Sequence, residues 1–227
     1  MSFMFTWYGH GTFGLTIGSH QILIDPFFTD NPATGTRAED LNPDFLLITH
    51  GHGDHVGDAV EIVKRTGAKV IANFEVANWL EARGAEVYPQ HIGGGHDYPF
   101  GYLKLTQAIH GSSLPDGSYG GMPGGFLITT PDGKKIYFAG DTGLFAGMSL
   151  IGEEDIYLAI LPIGDNFTMG PDDALRAVKL IQPDHVIPAH YNTWELIAQD
   201  STAWKQRVEL ETNSKVHVLQ PDSSLEF

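Results

Sequence analysis

The sequence predicts an α/β protein in which two β-sheets pack face to face and helices cover their outer surfaces. Short β-prone runs separated by glycine turns open the chain, strand and helix patterns alternate between residues 45 and 88, and the second half again places strands before helices. The length suits one domain over residues 1–227.

Phe3 to Tyr8, Thr12 to Ile17 and Gln21 to Ile24 read as an antiparallel start, because Gly9-His10-Gly11 and Gly18-Ser19-His20 supply tight turns between them. From Phe27 to Asn42 periodicity is lost and Asn31, Pro32, Thr34, Gly35 and Thr36 gather, which predicts a surface loop, long enough to border a pocket although such a stretch is more often a plain connection. Phe45-Leu46-Leu47-Ile48 is an apolar strand. Asp58 is placed to cap a helix running to Thr66, with Val60 and Val63 on one face, and strands at Lys69 to Ala72 and Glu86 to Tyr88 flank a helix near Glu75 to Arg83. A break at Gly93-Gly94-Gly95 precedes strands at Tyr102 to Ile109, Gly125 to Thr130, Ile136 to Ala139 and Ile156 to Leu161. Pro171 starts a helix that carries Leu175, Val178 and Ile181 on one face and ends before Pro183. A last helix, Glu195 to Glu211, precedes a strand at Val216 to Leu219.

Composition excludes several functions. The chain has no cysteine, so disulfides and thiolate ligands are ruled out and any metal is held by nitrogen and oxygen. No apolar run approaches the roughly 18 residues a membrane span needs, and no charged leader is recognisable, so a cytoplasmic location is expected. Net charge is −15 without any lysine or arginine stripe, which argues against polymeric nucleic acid as a partner. Divalent metals would invert the potential inside a small cleft, so small anionic substrates stay allowed. Oligomeric state is open; Trp79, Trp194 and Trp204 could mark a homo-oligomer interface or pack on a sheet.

The segment Thr49-His50-Gly51-His52-Gly53-Asp54-His55 follows the apolar strand directly, and imidazole and carboxylate are the side chains that hold borderline divalent ions. The interposed glycines are expected to fold the backbone tightly enough to converge these ligands. Further ligand-type residues stand at the exits of predicted strands: His110, Asp141 and His190. Loops at one end of a sheet can bring them together with His50 in a single cleft.

These motifs, THGHGDH, AIHGSS, AGDTG and PAHYNTW, resemble in order those of the metallo-β-lactamase fold superfamily of binuclear metal hydrolases. GHGTF at His10, LIDP at Asp25 and GDNFTMGPDDA from Gly164 to Ala174 are similar to compact metal-dependent hydrolases related to ascorbate-6-phosphate lactonases. The resemblance implies a four-layer αββα sandwich of two mainly antiparallel or mixed sheets flanked by helices. It also implies that His50, His52 and His110 bind one metal, that Asp54, His55 and His190 bind a second, and that Asp141 bridges them. The nucleophile would then be a metal-bridging hydroxide. Zn²⁺ is the default ion, while Mn²⁺, Fe²⁺ or Ni²⁺ also suit His/Asp donors.

Asp54 is both a ligand and the candidate catalytic base. Asp25 is expected to orient a ligand histidine, and His10 to face the cleft and hydrogen-bond substrate. Asn166, Thr168 and Met169, with the loop Gly111 to Gly124, are candidates to line the substrate pocket. His20, His91, His185 and His217 have no spacing partner, and no ligand slot is vacant for His96. The leading reading is a hydrolase acting on a small ester-like, lactone, amide, thioester or phosphodiester substrate, with the lactonase resemblance favouring a polar or phosphorylated one. A di-iron redox enzyme of the same fold is the alternative, but such relatives characteristically carry glutamate where this chain keeps His52 and add a flavin domain. A non-catalytic metal-binding protein is the third class.

Overall fold

The computed structural model describes residues 2–227. Its strands are β1 (Phe3–Trp7), β2 (Phe13–Ile17), β3 (His20–Ile24), β4 (Phe45–Ile48), β5 (Lys69–Asn73), β6 (Val87–Gln90), β7 (Gly95–Tyr98), β8 (Gly101–Gln107), β9 (Gly124–Thr129), β10 (Lys135–Phe138), β11 (Leu158–Pro162), β12 (His185–Ala189), β13 (Lys215–Val216) and β14 (Ser223–Glu226). Its α-helices are α1 (Gly53–Val56), α2 (Ala59–Thr66), α3 (Phe74–Glu81), α4 (Met148–Gly152), α5 (Pro171–Ile181) and α6 (Ser201–Glu211). Among the described residues no helix is long and apolar enough to cross a membrane.

Two seven-stranded sheets form, in the orders β14-β1-β2-β3-β4-β5-β6 and β13-β12-β11-β10-β9-β8-β7. Each is mixed. β1 to β3 pair antiparallel and β3 to β6 parallel, while β7 to β10 pair antiparallel and β10 to β13 parallel. Apart from β3 and β4, which are joined by a loop with only a 3-10 turn at Ala38–Asp40, the parallel pairs are separated by helices, because a parallel connection must cross over a sheet face.

Burial explains why β4 reads as a continuous apolar run. Phe45 and Leu47 face the core between the sheets, whereas Leu46 and Ile48 pack with Ala59, Ile62, Val76 and Leu80 of α2 and α3. A strand buried on both faces needs apolar residues at every position. Between the sheets, Phe5 lies 6.2 Å from Phe138 and Phe45 lies 4.9 Å from Phe100, ring centre to ring centre. On the outside of the second sheet, Leu175 and Val178 of α5 and Trp204 and Val208 of α6 complete the fourth layer.

Several sequence expectations are corrected. Gly93 to Tyr98 is more than a break, since β7 starts at Gly95 as a polar edge strand. The last helix is two pieces, a 3-10 turn at Glu195–Ile197 and α6, because Asp200 caps α6 by accepting from the Ala203 amide at 2.9 Å. Asp58 precedes α2 without capping it; its carboxylate accepts from the Phe28 amide at 2.6 Å and the Thr29 amide at 3.0 Å, tying down the loop after β3. Trp204 is 1% exposed, so it packs on the sheet and is no interface marker.

Candidate metal centre

The ligand-type residues meet at one end of both sheets, each sheet contributing through the loops that leave its strands. From the first sheet come His10 after β1, Asp25 after β3, and His50 to His55 after β4; from the second come His110 after β8, Asp141 after β10 and His190 after β12. The donor atoms form three overlapping groups, His50/His52/His110, His10/Asp54/His55/His190 and Asp25/His50/His55, each with its donors within 4.8 Å of one another. The backbone is bent to achieve this. His10, Asp25 and His190 adopt φ of 52°, 48° and 53°, a left-handed region that costs a non-glycine residue about 1 kcal/mol and recurs at functional sites.

Asp141 sits at the centre. Its Oδ2 lies 3.1 Å from His190 Nε2, 3.4 Å from His55 Nε2 and 3.5 Å from His110 Nε2. Two donors bound to one Zn²⁺ at tetrahedral angles would be about 3.4 Å apart. His55 Nε2 and His190 Nε2 are buried and make no hydrogen bond despite this proximity.

Hydrogen bonding assigns the tautomers. Asp25 is 1% exposed and accepts at Oδ1 from the Thr49 amide (2.7 Å) and at Oδ2 from Thr49 Oγ1 (2.5 Å) and His55 Nδ1 (2.9 Å). Because the Thr49 hydroxyl donates to Asp25, its oxygen accepts from His50 Nδ1 at 3.0 Å. One carboxylate therefore fixes His55 directly and His50 through Thr49. Both rings thereby turn Nε2 toward the cluster, where His55 Nε2 lies 3.4 Å from Asp141 Oδ2 and His50 Nε2 lies 3.0 Å from His52 Nδ1. A divalent cation would take the inward-facing nitrogens of His55 and His190, which are buried without a hydrogen bond, together with the Asp141 carboxylate, so the donor set fits metal ions.

Without metal, charge balance falls to His55. Burial pushes its pKa down, but the Asp141 and Asp25 carboxylates outweigh burial and hold it well above the usual histidine value. Burial lowers His50 and His110, and holds His10 down at about 4. Burial raises Asp141 and Asp54, yet the surrounding histidines win and hold both below the ordinary carboxylate range: His190 and His55 for Asp141, His10 and His55 for Asp54.

His10 is buried behind the cavity and does not line it. Its ring is 0% exposed, with Nε2 3.1 Å from Asp54 Oδ2 and Nδ1 2.8 Å from Thr193 Oγ1. As a neutral ring it donates to Asp54 and accepts from Thr193. Thr49 and Thr193 escaped sequence reading as supporting residues although both lie inside the motifs THGHGDH and PAHYNTW; a hydroxyl beside a ligand histidine was the available signal.

Beside the cluster opens a cavity of about 420 Å³. His52, Asp54, His110, Asp141 and His190 form its floor and Phe167, Trp194 and Leu196 its wall. Asn166 and Thr168 are absent from this lining, and the Phe167 between them is present. A tight turn explains the exchange: Asp165 and Asn166 both have positive φ, the Asn166 amide donates to Asp165 Oδ1 at 2.9 Å, and the Phe167 side chain projects into the opening. Met169 is 1% exposed and belongs to the core.

Residues 20–191 match the family described as Beta-lactamase superfamily domain. The chain is 48% identical over 227 residues to a UPF0173 metal-dependent hydrolase of Desulforamulus reducens, covering 98% of this chain and 99% of the relative. It is 50% identical over 226 residues to one from Bacillus cytotoxicus, covering 97% and 98%. Among solved structures it is similar to Igni18, a metallo hydrolase from the hyperthermophilic archaeon Ignicoccus hospitalis, with a TM-score of 0.92, 40% identity, and 100% and 99% of the two chains covered.

Proposed function

This chain belongs to the UPF0173 family of metal-dependent hydrolases in the metallo-β-lactamase superfamily, and on that footing we propose that it is a binuclear metal-dependent hydrolase of small molecules. The observation that carries the binuclear reading is Asp141 Oδ2, a single oxygen within 3.5 Å of His110 from one donor group and of His55 and His190 from the other. His50, His52 and His110 would hold one ion and Asp54, His55 and His190 the other, with Asp141 shared. When bound, the ions, Zn²⁺ by default, would supply Lewis acidity, bringing the pKa of a water toward about 7 and polarising the oxygen of the scissile group.

The chain's own residues do the rest. His10 donates to Asp54 Oδ2 and so aims that carboxylate, whose side chain is 31% exposed, at the cavity floor. Asp54 accepts the proton of the attacking water and returns it to the leaving group as the bond to the acyl carbon or phosphorus breaks. Asp25 and Thr49 keep His55 and His50 in the tautomers that face the cluster.

Metal analysis of wild type, Asp141→Ala and His190→Ala, coupled to turnover of ester, lactone, thioester, phosphodiester and β-lactam substrates, tests this reading. We expect about two metal equivalents in wild type, at most one in Asp141→Ala, and at least a roughly 10³-fold loss of turnover in both variants. Full turnover by metal-depleted protein, or by both variants, would overturn it.

A further inference from the structure

The wall of the cavity specifies what is hydrolysed. Resting on the hydrolase reading above, we propose that the substrate is an uncharged carboxylic ester or lactone whose acyl side carries a short alkyl or aryl group seated against Phe167, Trp194 and Leu196. These three are 50%, 39% and 64% exposed, a cluster of large apolar side chains left open to water directly beside the ligands. Trp194 is anchored, with its ring edge-on to His10 at 4.8 Å and tilted toward Phe27 at 6.2 Å. An anchored aromatic ring offers a fixed apolar surface at little entropic cost.

Charge points the same way. Not one of the 13 lysines and arginines lines the cavity. A carboxylate or phosphate seated against the wall, away from the metal ligands, would lose water against ring carbons without a side-chain cation to pair with. This reverses the preference for a polar or phosphorylated substrate that the sequence suggested. About 420 Å³ suits a small molecule and no long chain. An ester also matches the proton inventory: water oxygen bonds to the acyl carbon, the acyl C–O bond breaks, the departing oxygen takes the proton held by Asp54, and the new acid releases its own proton to solvent. An amine would need fuller protonation to leave, and every other ionisable group on the floor is a ligand to metal in this reading.

The test compares hexanohydroxamic acid with adipic monohydroxamate, of matched chain length but ending in a carboxylate, by calorimetric titration of the metal-loaded protein. Turnover of p-nitrophenyl hexanoate and mono-p-nitrophenyl adipate is measured in parallel. We expect the apolar hydroxamate to bind at least tenfold tighter, to lose roughly fourfold per methylene removed, and to lose most of its advantage in Leu196→Lys. Equal affinities, tighter binding of the carboxylate-ended probe, an unchanged ratio in Leu196→Lys or no binding of either probe would overturn the proposal. So would a dimer that Leu196→Lys dissociates without moving the ratio, because the wall would then be a protein interface. If the binding preference holds while neither ester is turned over, the hydrolase reading fails and the apolar site stands. If both esters are turned over at equal rates, the substrate class fails and the hydrolase stands.

Discussion

Gly11 constrains the metal centre more tightly than either glycine inside the His/Asp cluster. A Cβ at position 11 would lie 2.8 Å from Cε1 and 3.3 Å from Nδ1 of His55, a ring that is 1% exposed and held by Asp25. The ring has nowhere to retreat. Gly11→Ala should therefore weaken metal affinity by about 10- to 100-fold, the usual cost of disturbing a ligand's supporting contacts, while the melting temperature of the metal-free protein moves by only a few degrees. Competition with a chromogenic chelator measures this, and wild-type affinity in the variant would show that His55 does not depend on the gap. Gly53 is the contrast. Nothing lies within 4 Å of where a Cβ at Gly53 would sit and its φ is not positive, so the sequence expectation that both interposed glycines serve convergence is corrected for Gly53, whereas a Cβ at Gly51 would come within 3.1 Å of Leu114 and 3.3 Å of the Ser113 carbonyl oxygen. Gly53→Ala should leave metal affinity and turnover within about twofold. The donor-type residues that converge here were legible because imidazoles and carboxylates advertise themselves; the clearance that admits the His55 ring was not, because it is supplied from another strand's turn.

At the scale of elements, β12 and the segment after β13 meet through two histidines that the sequence left without partners. His185 Nδ1 lies 3.0 Å from His217 Nε2, and both rings contact Phe227, at 5.5 and 5.3 Å. Burial lowers both pKa values; for His217 burial and the neighbouring His185 bring it to about 4, with Lys215 and Lys205 adding to the effect and Glu209 opposing it. The folded state thus binds fewer protons here than the unfolded chain, whose histidines titrate near 6.5. Stability from this pair is complete above about pH 6.5 and is lost as pH falls toward about 4. Because His217 is only partly buried, the loss is about 1 kcal/mol once solvent screening is allowed for, or about 2 to 4 °C in melting temperature. His217→Gln should flatten the difference between about pH 7 and about pH 5 relative to wild type in a calorimetric scan; parallel curves would remove the pair from the account. Elements show the same division between legible and hidden. β4, buried on both faces, and α5, with Pro171 at its start and buried Leu175, Val178 and Ile181, carry their patterns in full. β7 and β14 are polar edge strands whose pairing with β8 and β1 comes from register rather than from apolar alternation, and α1 spans only the four residues that present Asp54 and His55.

Across the whole molecule, the donor set divides between the two sheets: His50, His52, Asp54 and His55 leave the first, and His110, Asp141 and His190 leave the second. The groups His50/His52/His110 and His10/Asp54/His55/His190 each draw on both sheets, so ions held there would cross-link the ends of two layers that are otherwise joined by their apolar core and by contacts such as the His190 amide donating to the His10 carbonyl at 3.0 Å. Binding to the folded state alone stabilises it by about 4 kcal/mol at a free metal concentration about a thousandfold above Kd. For a chain of 227 residues that corresponds to a rise of roughly 8 to 16 °C in melting temperature. Metal-free protein should therefore melt at lower temperature than metal-saturated protein by this margin, and hydrogen exchange should be fastest at the exits of β4, β8, β10 and β12 when metal is removed. Asp141→Ala, which removes the carboxylate shared by the two groups, should lose more than half of the metal-dependent rise. An Asp141→Ala protein that keeps the full rise would show that the sheets are not joined through this residue, and that the two donor groups act as separate sites.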